Sequence, residues 1–136
     1  MLNPKVTPNI YRFPQKSLVF RDNLSGGNCT TRPRIFSLFY SLPANYWMGM
    51  LKQHCSPAFI HQLLQDHYQT NIFRSVSLHY PAFDETVFHQ IKNLQINTPS
   101  AESFDRDRRI TQEFKDFINH INLNSEKPFF SFVFLS

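Results

Sequence analysis

The chain reads as an α/β domain with parallel strands, and two observations carry that reading. Apolar residues recur at helical spacing in several separate segments, and short apolar runs of strand character lie between them. The last run, FFSFVFL, is of the kind that suits a parallel strand covered on both faces. In order, the elements are helix, strand, helix, helix, strand, helix, helix, strand. That alternation is how parallel crossovers are built.

Thr7-Pro8 is a cap and first-turn pair, so a short helix is expected from Pro8 toward Lys16. Pro14 sits inside it and removes the N–H that would bond Ile10. SLVFR, from Ser17 to Arg21, reads as a strand, followed by a loop from Ser25 to Thr31. Pro33 suits the first position of a helix that carries Ile35, Phe36, Leu38 and Phe39, closed near Pro43. Ser56-Pro57 opens another, with Phe59, Ile60, Leu63 and Leu64 along one face. Asn71 to Leu78 alternates like a strand, and Pro81 begins a short helix to about Ile91. Residues 92–104 read as a loop around Thr98-Pro99-Ser100. Ile110, Phe114, Phe117, Ile118 and Ile121 then mark a longer helix from about Arg106 to Ile121.

With 136 residues, 41% hydrophobic and 18% charged, the composition is that of one ordinary domain and not of a disordered chain. Fifteen phenylalanines are unusual at this length; Phe20, Phe36, Phe39, Phe73, Phe114, Phe117, Phe130, Phe132 and Phe134 are the expected core. The net charge is only +4, and Arg106, Arg108 and Arg109 are interleaved with Asp105 and Asp107, a solvated helix start that argues against a nucleic-acid partner. No stretch approaches the roughly 18 apolar residues of a transmembrane segment, and MLNPKVTPNIYRF has no apolar core of a signal peptide. Cys29 and Cys55 have no metal-motif spacing, and the six histidines form no HExxH or HxH pattern. His54 and His61 are read as flanking or surface groups.

The segment with the most chemical content is SGGNCTTRPRIF, where Gly26 and Gly27 precede Asn28-Cys29-Thr30-Thr31 at a helix start. Free N–H groups and the helix dipole favour an anion there, so a hydroxyl at this position can attack a phosphate or sulfate held against them. An adjacent arginine, Arg32 or Arg34, can pair with the anion's oxygens. The alternative reading is a cap, with Thr31 as N-cap, Pro33 near the first turn and the glycines as a flexible connection.

GGNCT…IFSLFYSLPANYW resembles the nucleophile segment of the YejM/PbgA-type inner-membrane sulfatase-like proteins of the alkaline phosphatase superfamily. TPNIYRF…KSLVFRDNLSGGN upstream and SPAFIHQLLQDHYQTNIFRS downstream are similar to the family's flanking elements, so the resemblance covers essentially the whole chain. It implies a piece of an alkaline-phosphatase/sulfatase-like three-layer sandwich, residues 1–136 being a partial domain with its N- and C-terminal parts missing. It also implies metal-dependent hydrolysis or transfer on phosphate or sulfate esters at the periplasmic face of the bacterial inner membrane. Envelope lipids or a membrane partner protein are the implied partners, and a non-catalytic lipid- or partner-binding role in lipopolysaccharide supply is the alternative.

Carried over, the nucleophile and metal ligand is Thr31 when aligned back from Ile35-Phe36, or Thr30 when aligned forward from Gly26-Gly27-Asn28; Asn28 and Arg32 become the anion-binding residues. The chain has one more residue than the family pattern between Asn28 and Ile35, with Pro33-Arg34 in place of a residue followed by glycine. One extra residue turns a helix start by about 100°, which re-aims the hydroxyl. Cys29 is not the formylglycine precursor of sulfatases, since it is not followed by the Cys-x-Pro-x-Arg arrangement. The family's metal site draws an Asp from a strand end, and Asp66, Asp84, Glu85, Asp105 and Asp107 fall on helix ends or loops, while Asp22 follows a strand at a position that the family pattern gives to the strand's exit. The expectation is that this chain alone binds no metal tightly, is inactive, and is marginally stable.

Overall fold

A computed structural model describes residues 3–20, 30–99, 102–124 and 127–136. The elements are α1 (Pro8–Arg12), a 3-10 turn (Phe13–Lys16), α2 (Thr31–Tyr40), a second 3-10 turn (Ala44–Tyr46), α3 (Trp47–Lys52), α4 (Ala58–Gln65), β1 (Gln69–Arg74), α5 (Ser103–Asn124) and β2 (Phe129–Phe134). The two strands pair in parallel, Gln69 opposite Phe129 through Arg74 opposite Phe134. Bonds from Gln69 N–H to the Pro128 carbonyl and from Ser75 N–H to the Phe134 carbonyl, 2.9 Å each, continue the ladder past both ends.

Alternation along β2 sorts its side chains between two layers. Phe130, Phe132 and Phe134 meet Phe59, Phe39, Phe88 and Phe83, with ring centroids 5.1–6.5 Å apart. On the other face Phe129 meets Phe117 of α5, and Phe73 of β1 packs edge-on against Phe114. Helices and turns therefore cover one side of the sheet and α5 the other, which is the expected α/β/α layering. Phe36 is fully buried at the centre of the first layer, stacked on Tyr40 and edge-on to Trp47. The Tyr40 hydroxyl donates to the Cys55 carbonyl at 2.6 Å and ties α2 to the turn before α4; burial, then the nearby Cys55, raises its pKa.

Several local expectations are corrected. The first helix changes to a 3-10 turn at Phe13, because Pro14 cannot supply the bond to Ile10. Residues 17–20 of the expected Ser17–Arg21 strand are not in a ladder, since no strand lies beside them among the described residues; Arg21 lies outside those residues. Phe20, expected in the core, is 76% exposed for the same reason. The Asn71–Leu78 strand begins two residues earlier, at Gln69, and ends at Arg74. Residues 81–90 are turns and not a helix. Ala82 has φ 67°, and the bonds there run Phe88 N–H to Phe83 O and Ile91 N–H to Phe88 O, not at the four-residue spacing of an α-helix. Phe83, Val87, Phe88 and Ile91 are buried even so. The longer helix starts at Ser103 and runs to Asn124, beyond the expected Arg106–Ile121. Its Ile110 and Ile121 are buried, while Phe114 and Phe117 are half-buried against β1 and β2.

The end of β2 is held by α5. Asp107 Oδ1 accepts from the Ser136 N–H at 3.0 Å and from its hydroxyl at 3.1 Å, and Ser136 also bonds Ser103. A hydrogen bond from Ser75, then those from Ser136 with the nearby Arg106 charge, hold the Asp107 carboxyl below its usual range. A carboxyl with a depressed folded pKa stabilises the fold above its unfolded value, about 3.9, and loses that contribution as pH falls through the folded value. Asp107→Asn is therefore expected to lower the urea midpoint at neutral pH, the gap to the unsubstituted chain closing as pH drops below about 4. A gap that stays constant with pH would show that the bonds to Ser136 do not depend on charge.

Candidate functional site

Thr30 and Thr31 lie where the chain enters α2. Thr30 is the residue before the helix, with extended backbone (φ −102°, ψ 161°), and Thr31 is its first residue. This corrects two expectations: Thr31 is not the N-cap, and Pro33 is the third helical residue and not the first. Pro33 is tolerated there because first-turn N–H groups have no partner within the helix. Neither hydroxyl caps the helix: the start of α2 has no side-chain cap hydrogen bond. The first bond of the helix, from Arg34 N–H to the Thr30 carbonyl, is long at 3.4 Å.

With proline at the third position, the Thr31 and Arg32 N–H groups remain as donors at the helix start. No acidic side chain occupies the first turn, so the positive end of the dipole is uncompensated by the helix itself. Arg32 is half-buried, with its guanidinium 5.3 Å from the centre of the Trp47 ring, a cation–π contact. Its Nε is buried with no hydrogen-bond partner among the described residues. Asn28, the other expected anion-binding residue, lies outside the described residues, as do Gly26, Gly27 and Cys29.

This helix start opens on a cavity of 660 Å³. Thr30, Thr31, Arg32 and Pro33 form one wall, Val76, Tyr80 and Pro81 another, and Phe134, Leu135 and Ser136 a third. Val76 follows β1 and Leu135 follows β2, so the cavity sits at the carboxyl ends of parallel strands, where open α/β sheets place their ligands. The strand-end residues and Tyr80 were not singled out from the sequence. The rule that function lies just past a strand points to the former, whereas Tyr80 depends on a fold-back that no local pattern marks.

The described lining has hydroxyls, one guanidinium and apolar groups, but no carboxylate or imidazole. Divalent cations are held by carboxylates, imidazoles or thiolates, and a neighbouring guanidinium repels them. The described residues around Thr31 therefore do not fit a metal ion, although they do fit an anion.

Parallel strands between helical layers, with a hydroxyl-bearing helix start at their carboxyl ends, define an α/β domain with an anion-suited cavity. The family model described as Sulfatase matches residues 2–136, and the chain belongs to the sulfatase family. That family generally uses a metal ion. An uncharacterized protein of Haemophilus influenzae is 28% identical over 131 residues, covering 95% of this chain and 21% of that protein. The inner membrane protein YejM of Salmonella typhimurium is 29% identical over 99 residues, covering 73% of this chain and 16% of YejM, and YejM of Salmonella typhi matches equally. The chain thus spans about a fifth or less of the length of these relatives. No described helix is long and apolar enough to cross a membrane.

Proposed function

We propose that this chain is one part of a longer sulfatase-like domain, to which it contributes the nucleophile helix and an anion pocket. The reaction is hydrolysis or transfer of phosphate or sulfate esters at the periplasmic face of the bacterial inner membrane. Thr31 is the attacking hydroxyl, with Thr30 one residue away. The Thr31 and Arg32 N–H groups and the Arg32 guanidinium hold the ester's charged oxygens, and Asn28 shapes the loop before them.

The observation that carries this reading is the meeting of the Thr31 helix start, an Arg32 Nε with no hydrogen-bond partner among the described residues, and the two strand ends around one cavity. An anion seated there would accept from a buried donor that has no acceptor among the described residues, and burying such a donor unpaired costs about 1–3 kcal/mol. Because the described lining does not fit a metal ion, its ligands are assigned to the remainder of the longer protein, and this chain alone is inactive. The test is turnover of an aryl phosphate and an aryl sulfate by a full-length protein containing this segment, with and without a chelator. Chelator-sensitive turnover supports the reading; none on either ester counts against it.

A second reading has one observation in its favour. Val76, Tyr80, Pro81, Phe134 and Leu135 make much of the cavity wall apolar, which suits an acyl chain or a partner's side chain beside a charged headgroup. On that reading the domain binds envelope lipid or a membrane partner without turnover. Saturable binding of anionic lipid vesicles by a catalytically silent full-length protein would favour it.

A further inference from the structure

We propose that His79, Asp84 and Glu85 form a binding site for a zinc-like divalent cation, apart from the Thr31 helix start and independent of the ester reading. One ligand atom from each of the three residues lies within 4.8 Å of the other two. His79 Nδ1 and Asp84 Oδ2 are 3.1 Å apart. Ligands at about 2.0–2.2 Å from a tetrahedral ion stand about 3.3–3.6 Å from one another, so this pair needs to open by only a few tenths of an ångström to ligate one.

A plain His–Asp contact leaves one atom unexplained. Asp84 Oδ1 is buried, and among the described residues no donor reaches it, although the Asp84 side chain is only 11% exposed. A carboxylate oxygen shut away from water without a donor is costly, and a cation bound by both Asp84 oxygens removes that cost. Two successive carboxylates, at 84 and 85, also place two formal negative charges side by side, which a dication neutralises. His54 secures Glu85 from the side, its Nδ1 3.8 Å from Glu85 Oε2 and 3.3 Å from the Glu85 carbonyl. An outer partner that orients a ligating carboxylate is a regular part of metal sites.

One imidazole with two carboxylates selects a borderline divalent ion such as zinc or cobalt over calcium or magnesium, which prefer all-oxygen sets. With both Asp84 oxygens bound, His79 and Glu85 complete four donor atoms, the closed set of a structural site. The segment that carries the site also supplies Tyr80 and Pro81 to the cavity wall, so an ion here would brace that wall. This runs against the expectation that the chain alone binds no metal tightly.

The test is titration of the 136-residue chain with Co²⁺, followed by visible absorption and by displacement with Zn²⁺. One saturable site is expected, weakened about tenfold or more in both His79→Gln and Asp84→Asn. Zinc should raise the melting temperature of the unsubstituted chain more than that of His79→Gln at the same concentration. His79 is exposed, so its replacement is not expected to disturb the fold. Absence of a saturable cobalt spectrum, affinity unchanged in both variants, or a thiolate charge-transfer band from the cysteines would each overturn the site and leave an ion pair only.

Discussion

Thr31→Ala, introduced into the full-length protein, is expected to reduce ester turnover at least about a thousandfold while leaving the fold intact. Thr31 is exposed at the first turn of α2 and makes no capping bond, so its hydroxyl does nothing for the helix that alanine would lose. Alanine is the better helix former by roughly half a kcal/mol, so stability should hold or rise slightly. Activity should behave oppositely, because a nucleophile's loss is not compensated by binding groups around it. Thr30→Ala separates the two alignments. If Thr30 is the attacking group, the large loss moves to that variant and Thr31→Ala keeps most of its rate. Full turnover in both would remove this helix start from the chemistry and leave the binding reading.

Phe36→Ala is expected to cost about 3–5 kcal/mol, enough to unfold most of a marginal domain at room temperature. The ring is fully buried and in contact with Tyr40 and Trp47, and Trp47 in turn carries the Arg32 guanidinium. Its removal therefore leaves a cavity beneath the residue that faces the anion pocket. Urea unfolding followed by Trp47 fluorescence measures the loss directly, Trp47 being the single tryptophan. A cost below about 1 kcal/mol would mean that this layer collapses readily onto the gap.

How much of this was readable in the sequence follows from how local each feature is. Ile60 and Leu63 are buried and Phe59 meets Phe130 because helical spacing alone sets the face of α4. Phe36 and Phe39 were recognisable for the same reason, and the apolar run at 129–134 became a parallel strand. Ser17–Phe20 has the residues of a strand, but pairing is a long-range property, and with no neighbouring strand among the described residues Leu18, Val19 and Phe20 stay exposed. Residues 81–91 have helix-like apolar spacing and are buried accordingly, yet the positive φ at Ala82 turns them into successive bends. At the site, the glycine-preceded threonines were visible by composition. The cavity that faces them was not, because Val76, Tyr80 and Ser136 reach it from distant parts of the chain. Likewise, His79 meets Asp84 only through a fold-back that no periodicity announces.

The parallel pairing also governs the order of events when the chain folds. Gln69 and Phe129 are partners although 60 residues separate them, and α5 lies in the crossover between them. Closing a loop of that length costs about 3–4 kcal/mol of chain entropy beyond a constant, before any ladder bond repays it. Helices α2 and α4 and the turns at 79–90 also pack on β2, through Phe39–Phe132, Phe59–Phe130 and Phe88–Phe132, so their layer too is completed only by that closure. Val76 and Ser136 come to one cavity only when both strands are in register, so the wall that faces the two threonines depends on that closure. A cavity whose third wall is the end of β2 is thus lost whenever that strand peels away, whatever the state of the helix start.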